Sequence, residues 1–80
     1  MIKTMRVKVK VANNVYEMTR AEFSRLLQIA SSQVPFGIYA VEKNGYAELW
    51  NRHCKSITQL KRIRRDLRQE GFRVYANTEQ

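Results

Sequence analysis

The chain has 80 residues, room for one small domain and little more, since domains commonly run to about 100–150 residues. Lys and Arg number 15 against 7 Asp and Glu, a formal net charge of +8, and apolar residues make up 44% of the chain, enough for a modest core and too many for a disordered segment. No stretch approaches the ~18–20 apolar residues of a membrane span, the start lacks the apolar region of a secretory signal, and the single cysteine, Cys54, cannot form an intrachain disulfide, which points to a reducing, cytoplasmic setting.

The first element is read from alternation. Met5, Val7, Val9 and Val11 are interleaved with Arg6, Lys8 and Lys10, which predicts a strand with one buried face. Asn13-Asn14 follows and suits a two-residue hairpin turn, because Asn tolerates positive φ. Val15 to Met18 then returns, with Tyr16 opposite Val11, Glu17 opposite Lys10 and Met18 opposite Val9. Thr19-Arg20-Ala21-Glu22 has the form of a capping box and starts a helix. Phe23, Leu26, Leu27 and Ala30 form its buried stripe. The helix ends before Val34-Pro35, because a residue preceding proline avoids the α region.

Phe36 to Lys43 is rich in strand formers, Asn44-Gly45 is a strong hairpin signal, and Tyr46 to Trp50 returns. This loop pairs Lys43 with Tyr46, Val41 with Glu48 and Tyr39 with Trp50. Asn51 to Lys55 reads as a polar connector. Ser56-Ile57-Thr58-Gln59 is a second capping box, and a helix follows to about Glu70, with Leu60, Ile63 and Leu67 inward. Gly71 suits the position just past the helix end. Phe72 to Ala76 is a last short strand, and Asn77 to Gln80 a frayed tail.

The predicted order is ββαββαβ. The fold class is α+β: an antiparallel sheet of four to five strands with two helices on one face. With Val15–Met18 treated as an extension, the order is the split βαβ pattern of ferredoxin-like domains, or a relative of it.

Two surfaces carry candidate chemistry. In the second helix Lys61, Arg62, Arg64, Arg65 and Arg68 lie within eight residues. At about 100° per residue, Lys61, Arg64, Arg65 and Arg68 share an arc of roughly 100°. Asp66 and Glu70 lie elsewhere, although Asp66 can reach Arg62. Like charges at i,i+3 and i,i+4 repel by a few tenths of a kcal/mol each, so a stripe of one sign points to an anionic partner. Favourable interaction with the helix C-terminus and plain solubility are the competing explanations.

The second surface is the open face of the sheet. If the helices cover Val7, Val9, Ile38, Ala40, Ala47 and Leu49, the other face shows Arg6, Lys8, Lys10, Tyr39, Tyr46, Trp50, Arg73 and Tyr75. Rings interleaved with cations suit single-stranded nucleic acid. The same set also suits a homodimer interface or ordinary cross-strand pairing. The aromatic signatures of the RNA-recognition domain are missing from Arg6–Lys10 and from Tyr46–Trp50.

Catalytic patterns are not found. His53-Cys54 has no second Cys or His to complete a metal site, and adjacent side chains usually point apart. The acids are scattered, and there is no phosphate-binding glycine loop. The reading is a non-enzymatic protein with no cofactor.

Val34 to Lys43, followed by a hairpin, a Lys55-Ser56-Ile57 helix start and Gly71-Phe72-Arg73-Val74-Tyr75, resembles small accessory proteins of bacteriophages and mobile elements of Gram-positive bacteria. The resemblance implies a genetic setting: DNA binding, gene regulation, or inhibition of a host enzyme or defence system. The function expected is a regulatory protein contacting DNA or RNA through Lys61, Arg64, Arg65 and Arg68. Arg6, Lys8, Lys10, Tyr39 and Trp50 form a second-choice surface. The alternative is an inhibitor docking on an acidic host nuclease, polymerase or defence protein, and possibly acting as a homodimer.

Overall fold

A computed structural model describes residues 6–79. Met5, placed above in the first strand, and Gln80 of the tail lie outside the described residues. The elements are β1 (Arg6–Val11), β2 (Asn14–Thr19), α1 (Arg20–Gln33), β3 (Gly37–Lys43), β4 (Tyr46–His53), α2 (Ile57–Gln69) and β5 (Arg73–Asn77). The strands form one sheet in the order β2-β1-β4-β3-β5. The α+β class, the five strands and the ββαββαβ order agree with the sequence reading.

Local signals set the helices. At α1 both bonds of the capping box form: the Glu22 N–H donates to the Thr19 hydroxyl, and the Glu22 carboxylate accepts from the Thr19 N–H. At α2 the box is half made. The Gln59 N–H donates to Ser56 Oγ, while Gln59 Oε1 accepts from the Lys55 N–H. The helix ends in a Schellman motif, with the Phe72 N–H on the Leu67 carbonyl and the Gly71 N–H on Arg68.

Register decides the layers. Val7 pairs with Met18, Val9 with Tyr16 and with Ala47, Ala47 with Glu42, and Ala40 with Leu49 and Tyr75. Paired residues share a face. This face carries α1, whose Phe23 packs edge-on to Tyr75 at 6.0 Å and joins Val7, Val9, Met18 and Ala47 in the core.

Two finer points differ from the sequence expectation. β1 and β4 run parallel, so the sheet is mixed. α2 packs at the β5–β3 end, beside strand positions of the other parity. There Val41 pairs with Val74 and is buried, and Lys43 lies 5.2 Å over the Phe72 ring. The helices thus cover opposite faces, α2 only part of its own. This follows from chirality. β2→α1→β3 and β4→α2→β5 are both parallel crossovers that step the same way across the sheet along oppositely directed strands, and right-handed connections then fall on opposite sides. In the split βαβ arrangement the last strand returns beside the first, whereas β5 pairs with β3.

Several boundaries move. The first turn is Ala12-Asn13, with Ala12 at φ 56, which shifts the expected β1–β2 register by two residues and keeps each side chain on its face. Asn51 to His53 continue β4, so the connector is shorter. Asn77 is no tail residue. It ends β5, and its Nδ2 donates to the carbonyls of Ser31 and Val34 at 2.9 Å, capping the C-terminal end of α1. Around Tyr39 the pairing is irregular: Ala40 faces Leu49 while Ile38 faces Arg52, so Trp50 and Asn51 oppose Tyr39 in a bulge.

Candidate nucleic-acid interface

α2 is held by one narrow stripe. Leu60 is fully buried, and Ile63 and Leu67 are half-buried. The rest of the helix surface is given to charge. Lys61, Arg62, Arg65 and Arg68 are exposed and Arg64 is half-buried. Together with Thr58 and Gln69 they form one continuous outward surface. Among the described residues the only carboxylate contact to this group is Arg65 Nε to Asp66 Oδ1 at 3.7 Å, between exposed side chains. Asp66 therefore meets Arg65 and not Arg62. A long, exposed pair of this kind neutralises little. The surface keeps nearly all of its positive charge.

The β1 cations are different. Arg6 and Lys8 are exposed and Lys10 is half-buried. Arg6 Nε donates to Glu17 Oε1 at 2.8 Å. Lys8 lies between Glu17 and Tyr46 across the sheet, and Lys10 between Val15 and Glu48. Two carboxylates therefore sit among three cations.

The expected platform of rings is not assembled on this face. Tyr46 is exposed and pairs with Lys8. Tyr75 and Arg73 pair with Ala40 and Glu42, which puts them on the α1 face. Tyr39 is unpaired in the bulge, with its ring 6.3 Å from Tyr75. Trp50 is half-buried in the same bulge and does not pair with Tyr39 as the hairpin arithmetic required. Tyr39 thus lies beside Tyr75, whereas Trp50 alternates along β4 with Tyr46 and Glu48, the partners of Lys8 and Lys10. His53 ends β4 exposed, while Cys54 is buried with its N–H on the Phe36 carbonyl.

A charged cluster that the sequence reading passed over lies under α1. Glu42 is 6% exposed. Arg20 donates to both of its oxygens, at 2.9 and 2.5 Å, and the Tyr75 hydroxyl donates to Oε1 at 3.0 Å. The Arg20 hydrogen bonds hold the Glu42 carboxyl below the usual glutamate range, against the opposing effect of burial. Burial first, and then the hydrogen bond to Glu42 and its charge, push the Tyr75 phenol up. Glu42 is thereby an ionised acceptor with its oxygens occupied, which suits a clamp between α1, β3 and β5 rather than proton transfer. The signal was available: Glu42 falls opposite Ala47 in the predicted hairpin, and a carboxylate in core register requires a cation.

No protein-family model, curated protein or solved structure matches this chain.

Proposed function

We propose that this chain is a small non-catalytic binding protein that engages nucleic acid through α2. The observation that carries the reading is the nearly uncompensated set on a single helix of exposed Lys61, Arg62, Arg65 and Arg68 with half-buried Arg64. A protein with net charge +8 attracts polyanions at long range, and such a set fixes where they dock. On the sheet Arg6 is paired with Glu17, and Glu17 and Glu48 stand across from Lys8 and Lys10, which favours α2. A reducing, cytoplasmic setting in a phage or mobile element accords with this role.

The test is fluorescence anisotropy of labelled nucleic acid at several salt concentrations. Each phosphate contact contributes about 0.7–0.9 to the slope of log K against log salt, so four contacts give a slope near −3. The Arg64→Glu/Arg68→Glu variant should bind at least about tenfold more weakly and with a shallower slope. Unchanged affinity and slope would remove α2 from the reading.

A protein partner is the second reading, favoured by exposed apolar side chains far from α2. Val15, Tyr16 and Ile29 are half or more exposed on β2 and α1. Capture of one host protein from lysate that survives nuclease treatment would select it.

A further inference from the structure

The outward surface of α2 is not uniform around the helix. At about 100° per residue, Thr58, Arg65 and Gln69 fall within roughly 40° of one another and form the crest farthest from the buried Leu60 stripe. Lys61, Arg68 and Arg64 follow down one flank. Arg62 and Asp66 lie on the other. The crest holds side chains able to read base edges: Gln pairs with adenine, Arg with guanine, and Thr with either. The fuller flank holds three cations and no acid.

Clearance matches this division. Thr58, Lys61, Arg62, Arg65, Arg68 and Gln69 are all exposed, and the helix is anchored only along its opposite side. An α-helix with side chains is about 10–12 Å across, and the major groove of B-DNA is about 12 Å wide. The span from Thr58 to Gln69 is about 16 Å, roughly five base pairs. The deep, narrow groove of A-form RNA does not admit such a helix. A single strand needs rings to stack on, and this surface has none. Phe72, the ring next in sequence after α2, lies under Lys43, and Tyr75 is bonded to Glu42.

We infer that α2 is a recognition helix for duplex DNA, lying in the major groove with Lys61, Arg64 and Arg68 along one phosphate backbone and Thr58, Arg65 and Gln69 toward the bases. The inference rests on the nucleic-acid reading above and names its ligand.

The experiment titrates the full chain against a short mixed-sequence DNA duplex, its single strand and the RNA duplex of the same sequence. Methyl green, a major-groove ligand, and netropsin, a minor-groove ligand, serve as competitors. Duplex DNA should bind at least about tenfold tighter than either other form, with a salt slope of about −3 to −4, and methyl green alone should displace the protein. Lys61→Glu/Arg68→Glu should make the slope shallower by about 2. Gln69→Ala should leave the slope intact and reduce discrimination across a panel of duplexes. The Gln69 variant removes no charge and no core contact, so it remains informative if the double variant fails to fold. Equal binding of single strand or RNA duplex, or displacement by netropsin, would overturn the groove assignment while leaving nucleic acid as the partner. Absence of binding to all three at low salt would overturn the underlying reading.

Discussion

Replacing Arg20 with Met should destabilise the protein by about 2 kcal/mol. The substitution keeps much of the apolar stem and removes the cation facing Glu42, which is 6% exposed. Breaking a fully buried pair from one side costs about 3–5 kcal/mol, because a charge is left without its partner. The Arg20 side chain is 39% exposed, so water reaches the abandoned carboxylate, and Tyr75 still donates to it. Both effects bring the loss down to about 2 kcal/mol. In a domain of this size each kcal/mol moves Tm by about 4–8 °C, so the drop should be ~8–16 °C. Thermal and urea unfolding followed by circular dichroism would measure it. Adding Glu42→Gln to the Arg20→Met chain should cost little, since no buried charge then remains, and the double-mutant cycle should return a coupling of about 1–2 kcal/mol. A loss below about 0.5 kcal/mol, or a coupling near zero, would refute the clamp.

The same cluster sets a pH dependence. Glu42 is held below the ordinary glutamate range, so its contribution is complete above that range and is lost as pH falls through its folded value. Tyr75 is raised, so its contribution is complete below the ordinary tyrosine range and is lost as pH rises through its folded value. Urea midpoints across pH should fall at both ends, and Glu42→Gln should flatten the acid limb. Gly37→Ala should cost at least ~3 kcal/mol, because its backbone has φ +151 and a Cβ would sit 2.1 Å from the Arg52 carbonyl oxygen. A folded Gly37→Ala chain with a near-parental midpoint would contradict that close approach.

Local chemistry was legible in the sequence. Thr19 and Glu22, Asn44-Gly45 and the alternation of β1 each act within a few residues, and each forms as read. Longer-range facts were hidden. Nothing in β1 names β4 as its parallel neighbour. The face of β5 depends on which strand it joins: Tyr75 turns inward because Ala40 is its partner. The Tyr39 bulge adds one residue against β5 and so puts Ile38 and Ala40 on opposite faces, which no period-2 count anticipates. On the candidate site, the α2 stripe was readable because helical periodicity is strict. The Arg6–Glu17 pair was not, because the turn at Ala12-Asn13 moves Glu17 from opposite Lys10 to opposite Lys8, within reach of Arg6.

The two edges of the sheet are unequally open. β5 is short, begins with Arg73 and is tied by Asn77 to the end of α1. β2 has six residues without Lys, Arg, Pro or Gly, and among the described residues its outer backbone meets no strand. Of the two edges, β2 is the less guarded. Pairing of two copies through β2 would bury the same strand from each and close on itself.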